Sequence, residues 1–236
     1  MPLYLPVVAL FVWLVSIPLA VELSRAAFSD LPDWELIGLA NLIYCAGGIV
    51  LASWITIVVR RYFVRQLRGF GLSFRTAGRD FGAACVNLTC IWPLVLAAIV
   101  VSTRIGRMIY GPDFELQPHE QLELISAYPQ WPLRALIVVA AVVVAPVAEE
   151  MLFRGLFQTS LRSFLSDLGY RQSAWLSIAG GSVLFAMAHA QPGHWPALFV
   201  LSLGMGYSYE KSNSLLRSIF IHALFNGITI LAVLAE

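Results

Sequence analysis

Five ionisable side chains lie within apolar stretches of this sequence, namely Glu149, Glu150, Arg154, His189 and His222. An ionisable group near the centre of a membrane-spanning helix costs at least about 2.5–3.5 kcal/mol, so such residues are retained mainly where they are paired or do chemistry. Two adjacent carboxylates are especially unfavourable in such a position unless they are paired, protonated or in contact with water. All five residues are therefore candidates for a functional site.

Helix geometry assigns different roles to the two glutamates. Successive residues are about 100° apart around a helix, so Arg154 lies on nearly the same face as Glu150 and about 140° away from Glu149. Glu150 is thus the expected ion-pair partner of Arg154, which leaves Glu149 to face a cavity as a general base. The alternative is a solvated helix end at the membrane surface; the apolar residues 151–153 favour a helix that continues with a buried face.

His189 follows Phe185 by one helical turn in another apolar stretch. A lone histidine in this setting is usually structural. However, Leu168 and Gly169 mark the turn of a helical hairpin and lie about twenty residues from both His189 and Glu149. In an antiparallel pair of helices, His189 and Glu149 are then expected at similar heights.

His222 and Asn226 are spaced i, i+4 in a third apolar stretch, so they share one helix face. Both side chains can donate hydrogen bonds, and a pair of donors in a water-poor cavity suits a developing oxyanion. The alternative is a polar seam that joins two transmembrane helices.

The composition shows what must position these residues. Of 236 residues, 59% are hydrophobic and 12% are charged, and the mean hydropathy is +0.77. The sequence therefore predicts an all-α, polytopic transmembrane helix bundle of about seven spans, in a single membrane domain over 1–236. The net charge of +1 gives no indication of nucleic-acid binding. The predicted spans are 3–23, 35–59, 81–102, 132–164, 174–191, 195–209 and 215–235.

These spans divide the chain into two parts. Residues 1–130 are expected to be scaffold helices, and residues 131–235 carry the three polar clusters. The span 132–164 is too long for one simple crossing, so it must tilt, project from the membrane or split near Pro146.

Arginines predict how the spans are oriented. Residues 60–80 contain six arginines and one acid, which predicts a cytoplasmic loop and a cytoplasmic amino terminus. Alternate threading from this loop puts eleven basic residues on the cytoplasmic side and four on the other. The eleven are Arg60, Arg61, Arg65, Arg68, Arg75, Arg79, Arg154, Arg162, Arg171, Lys211 and Arg217; the four are Arg25, Arg104, Arg107 and Arg134.

Glu149-Glu150-x-x-x-Arg154, Phe185-x-x-x-His189 and His222-x-x-x-Asn226, in this order on separate apolar helices, resemble the motifs of the CPBP family of intramembrane proteases. These are the CAAX prenyl endopeptidases and their bacterial relatives. The resemblance covers residues 130–235 and implies that Glu149 activates water with help from His189. It further implies that Glu150 and Arg154 support the site and that His222 and Asn226 hold the oxyanion.

The resemblance also implies a setting. It indicates a glutamic endopeptidase in the bacterial plasma membrane, with no cofactor, acting on a membrane-associated protein or peptide through a cavity open to the cytoplasm. It does not indicate an oligomeric state or whether the substrate is prenylated.

Two other functions are compatible with the sequence. In a zinc protease, Glu149, His189 and His222 would supply one carboxylate and two imidazoles to the metal, although the usual His-Glu-x-x-His pattern is absent. A non-catalytic membrane protein, such as an immunity factor, is the other. A transporter is disfavoured because the sequence shows no paired repeats.

Overall fold

The computed structural model describes Pro2 and residues 4–235, and in these residues the chain forms helices, turns and no β-strand. The all-α prediction is thereby confirmed. The helices are α1 (Tyr4–Ala27), α2 (Asp33–Tyr62), α3 (Phe74–Tyr110), α4 (Glu120–Ala127), α5 (Trp131–Asp167), α6 (Ser173–Met187), α7 (Trp195–Ser212) and α8 (Leu215–Leu234).

Within the described residues, five helices are long and apolar enough to cross a membrane: α1, α2, α3, α5 and α8. The other two predicted spans, α6 and α7, are also helical, so all seven predicted segments form helices. Helix α6 ends at Met187 rather than at residue 191 and has 15 residues. At this end the N–H of His189 bonds the carbonyl of Ala186, and the His189 ring bonds the carbonyl of Phe185 in place of a regular helical bond.

Outward-facing side chains agree with a membrane environment. Val50, Ile57 and Leu94 each expose 60% or more of their surface. Such a surface is stable where hydrocarbon replaces water, because the backbone polar groups of the helices are satisfied internally. The protein is an integral membrane protein.

Helix α5 is the central helix of the bundle. Half of its most apolar stretch is buried inside the protein, against 22–33% for the other four membrane-length helices. It does not split at Pro146. Instead, π-helical turns at Ala140–Val144 and Met151–Gln158 flank the α-helical turn Ala145–Glu150. Pro146 has no N–H and its ring crowds the carbonyl four residues earlier, a conflict that a widened turn relieves.

The remaining helices pack around α5. Helix α7 packs against α3 and α6, and α8 packs against α3 and α7. The hairpin between α5 and α6 turns at Gly169, whose φ is +83°, as predicted. At the same end of the bundle, buried Asp80 accepts hydrogen bonds from Thr76, Ser214 and Arg217 and so ties the start of α3 to the start of α8.

Close packing of α5 generates a stability prediction. A Cβ atom added at Gly155 would overlap the ring of Phe70, which is completely buried. We expect Gly155→Ala to lower the free energy of unfolding by about 1–3 kcal/mol, because overpacking forces neighbours out of place. Gly82→Ala is the matched control, since nothing lies within 4 Å of an added Cβ there. Thermal unfolding in detergent measures both; equal midpoints would contradict the close packing of α5.

Candidate active site

Glu150 lies at the centre of a buried charged network. Its Oε1 accepts a hydrogen bond from Arg154 Nη1 at 2.8 Å and lies 3.0 Å from His222 Nδ1. The side chains of all three residues are no more than 6% exposed. Both donors bond Oε1 of this buried carboxylate, whereas its Oε2 is buried without a hydrogen-bond partner among the described residues.

Arg154 is fixed from two further directions. Its Nη2 donates to Ser202 Oγ on α7 at 2.8 Å, and its guanidinium lies 4.6 Å from the centre of the Phe185 ring on α6. Cation–π contact and hydrogen bonding together hold the planar guanidinium in one orientation. One side chain thus connects α5, α6 and α7.

Glu149 has a different environment from its neighbour. It makes no salt bridge to a described residue, its side chain faces the main cavity, and its Oε2 is buried without a hydrogen-bond partner. Arg154 and His222 are both engaged with Glu150. The adjacent carboxylates therefore differ as helix geometry predicts: one is paired, and the other is free to meet a ligand or water.

The hydrogen bond to Glu150 determines what His222 can do. A carboxylate only accepts, so Nδ1 of His222 donates to ionised Glu150 and Nε2 remains for the cavity. A neutral imidazole with its proton on Nδ1 can accept at Nε2 but cannot donate there. His222 can donate to an oxyanion only as imidazolium.

His189 has a defined tautomer for a similar reason. Its Nδ1 lies 2.8 Å from the backbone carbonyl of Phe185, which only accepts, so Nδ1 carries the proton. The Nε2 lone pair is then available to a water molecule or a substrate proton. The Phe185 ring lies between the two histidines, with ring centres 5.0 Å from His189 and 5.7 Å from His222.

Asn226 is held by the first π-helical turn of α5. Its Nδ2 donates to the carbonyl of Ala141 at 2.7 Å. An amide nitrogen has two N–H groups, so the second remains to serve a ligand. Asn226 and His222 line the same cavity.

The cavity has a volume of about 970 Å³. Four of the six predicted site residues line it, namely Glu149, His189, His222 and Asn226, whereas Glu150 and Arg154 lie behind the wall. Scaffold residues from the first half of the chain also form its walls, among them Trp13, Asn41 and Tyr44.

Two histidines near the mouth of the cavity were not predicted. The ring of His119 lies 6.1 Å from the rings of both His189 and His194, centre to centre. Burial, and secondarily His194, lowers the pKa of His119 below its usual range, so this side chain is neutral near pH 7. His194 Nε2 donates to the carbonyl of Gln117 at 2.9 Å. No sequence pattern marks either histidine, because both lie outside the apolar stretches.

A zinc site would require its protein ligands to lie close together around one point. Among residues 2 and 4–235 as described, no three His, Cys, Asp or Glu side chains are grouped closely enough to hold a metal ion. Glu149, His189 and His222 share the cavity without forming such a group.

Comparison with known families agrees with the three motifs. Residues 130–228 match the family model described as type II CAAX prenyl endopeptidase Rce1-like. No curated protein and no solved structure matches the chain. The matched segment includes all six predicted site residues, and it confirms the predicted family resemblance.

The two glutamates should differ in their contributions to stability. We expect Glu150→Gln to lower the free energy of unfolding by about 3–5 kcal/mol, because Arg154 loses the charged partner of a buried pair. Glu149→Gln makes the same change of side chain and should leave stability nearly unaltered, since Glu149 makes no salt bridge to a described residue. Thermal unfolding of the two purified variants is the measurement. Equal losses would contradict the division of roles.

Proposed function

We propose that this protein is a glutamic intramembrane endopeptidase, because residues 130–228 match the family model of Rce1-like type II CAAX prenyl endopeptidases. One observation carries the proposal: Glu149 faces the cavity without an ion-pair partner, in the same space as the open Nε2 of His189. A carboxylate and an imidazole in this arrangement can bind one water molecule between them and take up its proton.

In the proposed reaction, water attacks the carbonyl carbon of the scissile peptide bond. Glu149 takes one proton from that water, and His189 Nε2 accepts a hydrogen bond from its remaining O–H and so orients it. The product is a tetrahedral intermediate with one negatively charged oxygen. Collapse of the intermediate breaks the C–N bond, and the proton held by Glu149 passes to the departing amine. No covalent acyl-enzyme forms, since no Ser or Cys lies beside a base in the motifs.

His222 and Asn226 are the proposed donors to the oxyanion. The free N–H of Asn226 and the Nε2–H of the His222 imidazolium both belong to groups already held by hydrogen bonds. Donors that are fixed in advance need no reorganisation as charge develops, which is the main source of their effect. Glu150, itself held by Arg154, acts by keeping His222 in a fixed orientation.

The cavity suits a peptide substrate. Its volume of about 970 Å³ lies at the upper end of the range for small-molecule pockets, about 300–1,000 Å³, and so accommodates several residues of an extended chain. The substrate is accordingly a membrane-associated protein or peptide.

A zinc-dependent reaction is the second candidate, and one observation favours it. Both His189 and His222 hold Nδ1 in a hydrogen bond and leave Nε2 open, as zinc-binding histidines commonly do. Removal of metal distinguishes the two reactions.

Cleavage of a quenched peptide panel by protein purified in detergent tests the proposal. We expect Glu149→Gln to lower kcat by about 10²–10⁴-fold, because the base that accepts the water proton is lost. We also expect wild-type cleavage to continue after prolonged treatment with a strong chelator. Loss of activity in chelator, restored by added zinc, would establish the metalloprotease instead. Full complementation of a deletion strain by Glu149→Gln would favour a non-catalytic role.

Asn226 provides a test of the oxyanion donors. Asn226→Leu should lower kcat by about 10²–10³-fold with little change in KM, because the lost hydrogen bond strengthens only in the transition state. Thr229→Val is the matched control on the same helix and cavity wall, since the Thr229 hydroxyl bonds the carbonyls of its own helix. A similar fall in kcat for both variants would contradict a specific role for Asn226.

A further inference from the structure

The residues that line the cavity come from one end of the bundle and from its middle. The charged and histidine side chains at its mouth belong to the end of α1, the end of α3 and the segment 115–120 before and at the start of α4. They are Glu22, Arg25, Arg107, Glu115, His119 and Glu120. The catalytic candidates form the floor.

The opposite end of the bundle contributes nothing to the cavity. No lining residue comes from the described segments 46–98, 154–187 or 202–221. Below the floor, successive side-chain hydrogen bonds close the bundle: Gln158 donates to the carbonyl of Gly206, Ser218 to that of Met205, and Tyr209 to that of Phe70. The cavity is therefore open at the end that contains α4 and closed at the end that contains residues 60–80.

Basic residues are concentrated at the closed end. Ten of them lie there, compared with four at the open end, while Arg154 is buried in the middle. The ten are Arg60, Arg61, Arg65, Arg68, Arg75, Arg79, Arg162, Arg171, Lys211 and Arg217. The first six are exposed and make no salt bridge to a described residue.

Acidic residues show the reverse distribution. The closed end contains three, Asp80, Asp167 and Glu210. The open end contains eight: Glu22, Asp30, Asp33, Glu35, Asp113, Glu115, Glu120 and Glu123. An excess of arginine and lysine in short loops marks the cytoplasmic side of a membrane protein.

We infer that the cavity opens to the non-cytoplasmic side and that the protein cleaves polypeptide segments exposed on that side of the membrane. The inference rests on the proposed function. The family resemblance implies a cavity that opens to the cytoplasm. That opening is incompatible with a cytoplasmic location of residues 60–80, because these residues lie at the closed end of the bundle. The substrate class is a membrane protein or peptide whose scissile bond has been exported, rather than a lipid-modified tail in the cytoplasm.

Sealed vesicles from a bacterial expression host test the inference. A charged peptide that the detergent-purified protein cleaves is added to right-side-out and to inside-out vesicles. Cleavage should be about tenfold faster or more with right-side-out vesicles, because a charged peptide does not cross hydrocarbon. Permeabilised vesicles of both kinds should be equally active, and Glu149→Gln is the inactive control. Faster cleavage in inside-out vesicles would overturn the inference.

Cysteine labelling tests access without relying on catalysis. The three native cysteines are replaced by alanine, and Ala141→Cys is introduced in the cavity wall; Asp113→Cys and Arg75→Cys report the two ends. A charged, membrane-impermeant thiol reagent should modify positions 141 and 113 from the non-cytoplasmic side and position 75 from the cytoplasmic side. Modification of position 141 from the cytoplasmic side would refute the proposed access. If labelling follows the expected pattern but no peptide is cleaved in detergent, then the proposed function fails and the access inference stands.

Discussion

Arg154 carries a charge in the middle of an apolar bundle, where an unpaired ion costs several kcal/mol, and its pairing with Glu150 constrains everything around it. To satisfy Arg154, α7 must present Ser202 and α6 must present Phe185. To complete Glu150, α8 must present His222. The ion pair therefore constrains the positions of three of the helices that pack against α5, and the cavity lies on the Glu149 side of α5.

The same constraint gives the two adjacent glutamates different surroundings. Arg154 and His222 both bond Glu150, whereas Glu149 makes no salt bridge to a described residue and lines the cavity. The π-helical turns on either side of Ala145–Glu150 widen the helix at this point. Such turns are rare and occur frequently at functional sites, where they reposition side chains that a regular helix could not.

Local spacing was sufficient to predict much of this arrangement. The i, i+4 relation predicted the Glu150–Arg154 pair, because both residues lie on one helix and their distance depends on helix geometry alone. The turn at Gly169 was also predictable from local signals. By contrast, the contacts of His222 with Glu150 and of Asn226 with Ala141 join residues 72 and 85 positions apart. They depend on how helices pack, so the sequence predicted which residues meet in the site but not which atoms bond.

Two features lay beyond sequence reasoning for different physical reasons. The early end of α6 accompanies a bond from the His189 ring to the carbonyl of Phe185, which hydropathy does not register. At the cavity mouth, His194 bonds the carbonyl of Gln117, and His119 packs against His189. Such contacts produce no periodic pattern in the sequence.

Chemical rescue tests the role of Glu149 most directly. Glu149→Ala leaves space beside the cavity for a small carboxylate such as formate, which can replace the missing base. We predict that formate restores peptide cleavage to Glu149→Ala in a concentration-dependent manner and does not restore it to Glu150→Ala, whose defect is the loss of the ion pair with Arg154. If Glu149→Ala cleaved the peptide at the wild-type rate without formate, Glu149 would not be the base that activates water.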